Sequence, residues 1–207
     1  MSRRWERIVQ QGEQFLRERA FSDAAKNFEK ALREAEINGD VEMRAESLQL
    51  LAMARLECGS KAQAEEQAKC AAEITKRISG EASREYGQCL QFLADLLTDM
   101  GELKRAEEIV STSTRIIEGS VLSHDCDSYR SALMDVYTLQ LEILLREGKF
   151  DQSRECLRKM WDSLRLNAKF EEPQQDKLND MLQEFRVRRS LGKSWHRLDR
   201  SPAFRVR

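Results

Sequence analysis

Proline, histidine and glycine are scarce in this sequence, and their scarcity restricts the folds that it can adopt. Among 207 residues there are two prolines, two histidines and nine glycines, and aromatic residues make up only 7%. A chain with so few helix breakers and 34% charged residues has the composition of an all-helical protein. No apolar run approaches the roughly 18 residues that a membrane span requires. We therefore expect an all-α fold without a membrane-spanning segment.

Disulfide and targeting signals are missing as well. The five cysteines are an odd number at irregular spacing, and none of them forms a CxxC pair. This pattern argues against a disulfide framework and favours a reducing setting. Arg3 and Arg4 are not followed by an apolar stretch, so a signal peptide is not expected. We predict a cytoplasmic location.

Motifs for catalysis or metal binding are also lacking. The segment His124-Asp125-Cys126 offers three ligand types, but no second His/Cys cluster lies at zinc spacing. We interpret it as a polar loop in which Asp125 or Asp127 caps the next helix. No glycine-rich phosphate cradle occurs. The sequence therefore predicts no metal ion, no cofactor, no catalytic residue and no enzymatic activity.

Three acidic pairs are candidates for acid–base chemistry: Glu65-Glu66, Glu107-Glu108 and Glu171-Glu172. We expect each pair in the first turn of a helix, where it interacts favourably with the helix dipole. This structural role is preferred to general acid–base catalysis.

The chain does contain a helical hairpin pattern that recurs about every 40 residues. Each boundary carries a glycine followed five residues later by a small residue. The pairs are Gly59 with Ala64, Gly101 with Ala106, and Gly148 with Ser153. Such recurrence is the signature of a helical solenoid, in which each hairpin buries its apolar face against its neighbours.

The first hairpin illustrates the expected boundaries. Its leading helix is predicted from about Ser2 to Arg19, followed by a turn in which Ser22 is the N-cap. Its second helix is predicted to continue to about Asn38, with Gly39 as the C-terminal cap. Gly119 is predicted to lie in a later gap between hairpins.

The same hairpin carries Gly12-x2-Phe15 and Ala24-x3-Phe28-x2-Ala31. This pattern resembles the tetratricopeptide repeat (TPR), in a long-repeat variant similar to that of kinesin light chains. The resemblance covers about residues 5–168, with offsets between equivalent positions of 40, 42 and 47. It implies a right-handed α-solenoid of about four antiparallel hairpins. HEAT-like helical pairs remain the alternative.

We expect three parts along the chain. Residues 1–170 are predicted to form the repeat array. Residues 171–191 are predicted to form a capping helix, because Pro173 suits a first helical turn and a solenoid needs a cap for its last hairpin. Residues 192–207 are predicted to be a basic, disordered tail.

In TPR arrays the leading helices line a concave groove, so the resemblance implies a binding site for a protein or peptide. The residues at the family's groove positions are Glu6, Val9, Gln10, Glu13, Gln49, Leu50, Met53, Glu57, Gln91, Phe92, Asp95, Asp99, Thr138, Leu139 and Glu142. The Lys, Asn and Arg of a carboxylate clamp are absent. This acidic groove with apolar spots suits a basic or amphipathic peptide or partner helix. Ordinary solvated helix faces remain the alternative.

Charge is unevenly distributed along the chain. From Arg186 onward eight Arg and Lys residues stand against Asp199, so the last 22 residues carry +7 and the remainder −8. The predicted contact residues of the tail are Trp195, Arg197, Arg200, Phe204 and Arg205. As an alternative function, the protein self-associates, and the tail docks on its own or a neighbouring subunit's groove. Nucleic acid and membranes are not expected partners, because no nucleic-acid motif occurs and the body is acidic.

Overall fold

A computed structural model describes residues 3–123 and 127–165, together with residue 183. Within these residues the chain forms eight α-helices joined by short connections. Their bounds are α1 Arg3–Arg17, α2 Phe21–Asn38, α3 Val41–Glu57, α4 Lys61–Ser79, α5 Arg84–Met100, α6 Leu103–Ser123, α7 Asp127–Arg146 and α8 Phe150–Arg165. Helices α1 to α6 pack against one another in chain order. The predicted all-α solenoid of helical hairpins is confirmed.

Two compact units share the chain, Met1–Val136 and Tyr137–Arg207. The first unit contains α1 to α6 and the first half of α7, and the second contains the rest of α7 and α8. The predicted capping helix and tail lie outside the described residues, apart from residue 183. The segment 124–126, in which a polar loop was predicted, also lies outside them.

The turns follow the predicted glycines, with two corrections. Gly39 ends α2 in the left-handed conformation, with φ 66°, as predicted. Ser22 is not an N-cap, because the chain reverses earlier, at Arg19 with φ 58°, and α2 begins at Phe21. Gly119 does not lie in a gap but within α6. A glycine inside a helix costs only about 1 kcal/mol relative to alanine, which packing along the rest of α6 offsets.

Small residues recur at two buried positions, twelve residues apart, in the first three hairpins. The pairs are Gly12 with Ala24, Ala52 with Ala64, and Ala94 with Ala106, whereas the fourth hairpin has Leu141 and Ser153 at these positions. The tightest approach is at Gly12, where an added Cβ would lie 2.5 Å from Cε1 of Phe28. Phe28 is fully buried. A small residue at this position therefore sets how closely α1 and α2 pack.

We predict that Gly12→Ala destabilises the protein by about 1–2 kcal/mol, because the clash with Phe28 exceeds the gain in helix propensity. Gly119→Ala is the matched control, since Gly119 is also helical but its added Cβ would meet nothing within 4 Å. That control should stabilise the protein by about 0.5–1 kcal/mol. Urea unfolding midpoints measure both changes. Equal stabilisation by the two substitutions would contradict the close packing of α1 and α2.

An ion-pair cluster joins α4 to α6, which are the second helices of two successive hairpins. The Glu65 carboxylate lies 2.5 Å from Nζ of Lys69 and also accepts hydrogen bonds from Arg105 of α6, which in turn pairs with Glu102. Hydrogen bonding by Arg105, and next by Lys69, lowers the pKa of Glu65 to about 2. The sequence prediction for Glu65 and Glu107 is wrong, because α4 and α6 begin four residues earlier and neither acid lies in the first turn.

We predict that Glu65→Gln lowers stability at pH 7 by about 1 kcal/mol, since the solvated side chain of Arg105 limits what each ion pair contributes. The folded-state pKa of Glu65 lies below its unfolded value of 4.5. The Glu65 carboxylate therefore contributes fully to the free energy of unfolding above pH 4.5. The difference between the two proteins should therefore shrink as the pH falls from 4.5 toward 2. Thermal unfolding at several pH values checks this, with Glu66→Gln as the control. A difference independent of pH would disprove the assigned role.

Candidate partner-binding surface

Three leading helices, α1, α3 and α5, lie side by side in the first unit. The indole N–H of Trp5 donates a hydrogen bond of 2.9 Å to Oγ of Ser47, which links α1 to α3. The side-chain amide of Gln49 donates to Sγ of Cys89 over 3.2 Å, which links α3 to α5. We call the solvent-facing side of these three helices the leading-helix face. Helices α2, α4 and α6 form the second-helix layer.

Most of the predicted groove residues on these helices reach solvent. The half-buried ones are Glu6, Glu13, Gln49, Leu50, Gln91 and Phe92, and the exposed ones are Gln10, Met53, Glu57, Asp95 and Asp99. Val9 is instead a core residue, only 6% exposed, in the cluster that holds Trp5 and Phe28. Its apolar side chain packs between α1 and its neighbours, so Val9 offers no contact to a partner.

The three predicted residues in the second unit are described separately. Leu139 is also a core residue, 7% exposed, and is therefore excluded as a contact. Thr138 and Glu142 are half-buried on α7. The Glu142 carboxylate forms an ion pair of 2.5 Å with Arg146, one helical turn later. These positions do not form part of the leading-helix face as defined above.

Arginines of the leading helices reach toward the second helices. Arg4 of α1 pairs with Glu34 of α2 over 3.4 Å, and Arg55 of α3 pairs with Glu29 of α2 over 2.8 Å. These pairs draw two cations away from the leading-helix face. The predicted contact positions on α1, α3 and α5 include five acids and no Lys or Arg. The face is therefore acidic at these positions.

Glu46 is an acidic residue of this face that sequence reasoning missed. It lies on α3 one turn before Leu50, so helical spacing could have identified it. Although the residue is exposed overall, reduced hydration of its carboxyl group raises the pKa of Glu46, and the charge of Glu13 on α1 raises it further. Glu13 and Glu46 thus place repelling carboxylates on adjacent leading helices. A cation bound there would relieve that repulsion.

An apolar spot accompanies these acids. Met53 of α3 is 37% exposed, and Leu50 of α3 and Phe92 of α5 are half-buried on the same face. Three other large apolar side chains are exposed in the described part of the chain, at the ends of helices: Ile37, Val41 and Ile78. Met53, in contrast, lies within α3 and on the leading-helix face. A partner can bury apolar surface there while its charges contact the acids.

The described residues offer little for catalysis. Burial raises the pKa of the Cys89 thiol, which donates a hydrogen bond to Oγ1 of Thr75, so Cys89 stays neutral and serves packing. Among residues 3–123 and 127–165, no three His, Cys, Asp or Glu side chains are grouped to hold a metal ion. No helix within those ranges has the length and apolarity needed to cross a bilayer.

A cleft of about 770 Å³, which sequence reasoning did not predict, opens between the start of α5 and the end of α6. Four of its lining residues are Glu81, Arg84, Glu85 and Arg115. Glu81 pairs with Lys76 over 3.0 Å, and Arg84 pairs with Glu85 over 3.4 Å. Because these charges are balanced, the cleft does not select a ligand by sign of charge.

Solved structures of other proteins share this fold, although their sequences differ widely from that of this chain. No family model and no curated protein matches the sequence. BtubC (BKLC) from P. vanneervenii matches with a TM-score of 0.68 at 20% identity, over 80% of this chain and 65% of that protein. This chain thus spans just under two thirds of that protein's length. Two structures of a P. anserina putative kinesin light chain with nearly identical TPR-like repeats match at TM-score 0.68 and 13% identity. They cover 91% and 92% of this chain, and 96% and 97% of theirs.

These similarities define the class of the fold. The chain is an α-solenoid of TPR-like repeats, similar to kinesin-light-chain-type repeat proteins. The TPR-like assignment is confirmed, and HEAT-like pairs are not needed to explain the hairpins. At these identities the likeness concerns the fold alone.

We predict that Glu13→Gln lowers the pKa of Glu46 toward the ordinary value of 4.5, because it removes the neighbouring negative charge. Carboxyl NMR titration of the full chain measures this pKa directly. Glu57→Gln is the control. Glu57 is the last residue of α3 and lies on the same face, and its substitution should leave the pKa of Glu46 unchanged. The same pKa in the native protein and in Glu13→Gln would show that Glu13 and Glu46 do not interact.

Proposed function

We propose that this protein is a non-catalytic interaction scaffold whose leading-helix face binds a basic or amphipathic peptide or partner helix. The observation that carries the proposal is the acidic and partly apolar character of this face: its predicted contact positions on α1, α3 and α5 include five acids and no Lys or Arg, and Met53 among them is exposed. Cations of the partner would contact the acids, and an apolar side chain would cover Met53. Charge complementarity would supply specificity and fast association, and apolar burial would supply much of the affinity.

We further propose that this scaffold is cytoplasmic, and the state of the cysteines supports that location. Cys58 and Cys70 are exposed thiols, and the other two described cysteines, Cys89 and Cys156, are buried thiols. Exposed thiols on a binding protein suit a reducing compartment better than an oxidising one.

The test uses a fluorescent synthetic helix with lysines on one side and leucines on the other. We predict that Glu13→Gln combined with Glu46→Gln lowers its affinity about tenfold, or about 1.4 kcal/mol, in anisotropy titrations with the full chain. Glu66→Gln combined with Glu108→Gln is the matched control. It removes the same charge from exposed positions on α4 and α6, and should change the affinity less than about twofold.

Two outcomes would contradict the proposal. If both double variants weaken binding equally, the peptide responds to net charge and not to the leading-helix face. If neither weakens binding, the peptide binds elsewhere. Met53→Ser separates the apolar contribution, because it should weaken binding of the lysine–leucine helix while leaving a purely lysine-rich peptide unaffected.

A further inference from the structure

We propose that a second copy of this chain docks on the inter-hairpin edge of the first unit, so that Ile37 of each copy enters the cleft between α5 and α6 of the other. The inter-hairpin edge consists of the ends of α2, α4 and α6 and the starts of α3 and α5. The contact does not use the leading-helix face, so this inference goes beyond the proposed function and does not rest on it.

An apolar projection forms one half of the contact, at the turn around Gly39. Ile37, the second-last residue of α2, is 80% exposed, the largest value among the exposed large apolar side chains of the described residues. Val41, the first residue of α3, is 47% exposed and lies just after the same turn. Because water solvates such side chains poorly, their burial against a partner is favourable.

The cleft forms the other half, at the corresponding position of the third hairpin. Ile37 lies thirteen residues after the buried Ala24, and Gly119 lies thirteen residues after the buried Ala106. The same position of the second helix therefore carries an exposed isoleucine in the first hairpin and no side chain in the third. The cleft at Gly119, of about 770 Å³, has ample room for one isoleucine side chain.

Packing within one molecule does not require a glycine at position 119. A glycine inside a helix lowers stability relative to alanine, and a Cβ added at Gly119 would meet nothing within 4 Å. A glycine in the wall of the cleft does, however, let another chain approach the backbone of α6 closely. Tyr86 and Ile116 line the same cleft and would pack against the entering Ile37.

Charged residues at the rim fix the orientation of the contact. The cleft as a whole is balanced in charge, so the apolar contact selects the occupant. Glu36, which precedes Ile37, and Arg115, which lines the cleft, are both exposed, and neither forms an ion pair with any of residues 3–123 and 127–165. When Ile37 enters the cleft of a second copy, Glu36 comes within reach of Arg115 of that copy. Such a pair adds specificity more than affinity.

One edge carries both halves of this contact, which is the condition for a closed dimer. In a twofold arrangement Ile37 of each copy enters the cleft of the other at the same time, so no free half remains to bind a third copy. The contact involves helix ends and turns, so its area is small. We therefore expect a weak dimer, with a dissociation constant of the order of tens of micromolar.

Sedimentation velocity of the full chain measures the dimer directly, at about 5–500 µM, a range that brackets the expected dissociation constant. The mass should rise from that of one chain to that of two and no further. Ile37→Ser should weaken the dimer at least about tenfold. Met53→Ser is the matched control on the leading-helix face and should change the dissociation constant less than about twofold. Ile37→Ser should leave the affinity for the lysine–leucine helix unchanged.

Variants of the cleft separate docking from folding. Gly119→Gln places a side chain in the cleft and should weaken the dimer about tenfold, yet it should raise the unfolding temperature of the dilute, monomeric chain, because glutamine is the better helix former. Glu36→Arg and Arg115→Glu should each weaken the dimer about threefold. Their combination should restore the dissociation constant to within about twofold, because the pair forms again with its signs reversed.

Three results would overturn this inference. The first is a mass that stays that of one chain at the highest concentration, and the second is a mass that grows beyond two chains. The third is a dimer that Ile37→Ser and Met53→Ser weaken equally, since that dimer would use another surface. None of these results bears on the proposed function, which is tested by the affinity of the lysine–leucine helix.

Discussion

The close approach of two helices within each hairpin is the constraint on which the rest of this structure depends. At Gly12 there is no room for a Cβ beside Phe28, and Gly87 is crowded to a lesser degree by Ile117, which would lie 2.8 Å from an added Cβ. Buried alanines occupy the positions equivalent to Gly12 in the second and third hairpins, at Ala52 and Ala94. Helices that pack this closely fix where the next hairpin lies, because each repeat contacts only its neighbours. The alignment of α1, α3 and α5 follows from that packing.

The alignment of α1, α3 and α5 brings polar residues that are distant in sequence onto one surface. Glu13 and Glu46 are 33 positions apart in sequence, yet their carboxylates interact because successive leading helices are neighbours. The core directs Val9 inward, while Met53 on a later leading helix reaches solvent. On the other layer, Glu65 and Arg105 join α4 to α6, so opposite charges there stabilise the array and are not available to a ligand.

The sequence was sufficient to predict what depends on local periodicity. The hairpins, the cap at Gly39 and the buried alanines could all be predicted from spacing. The turn before α2 could not, because Arg19 adopts a positive φ that its residue type does not suggest. The core positions of Val9 and Leu139 were missed because family groove positions specify a helix face only approximately. The Glu65–Arg105 pair joins residues 40 positions apart, and only the packing of α4 beside α6 identifies it.

The central claim is that the leading-helix face binds a basic, amphipathic partner. Backbone amide NMR of the full chain, titrated with the lysine–leucine helix, tests it most directly because it locates the binding site without any substitution. The account predicts that the largest shift changes fall on α1, α3 and α5, around Glu13, Glu46 and Met53, with small changes on α2, α4 and α6. Changes concentrated on α2, α4 and α6, or on the cleft between α5 and α6, would contradict it.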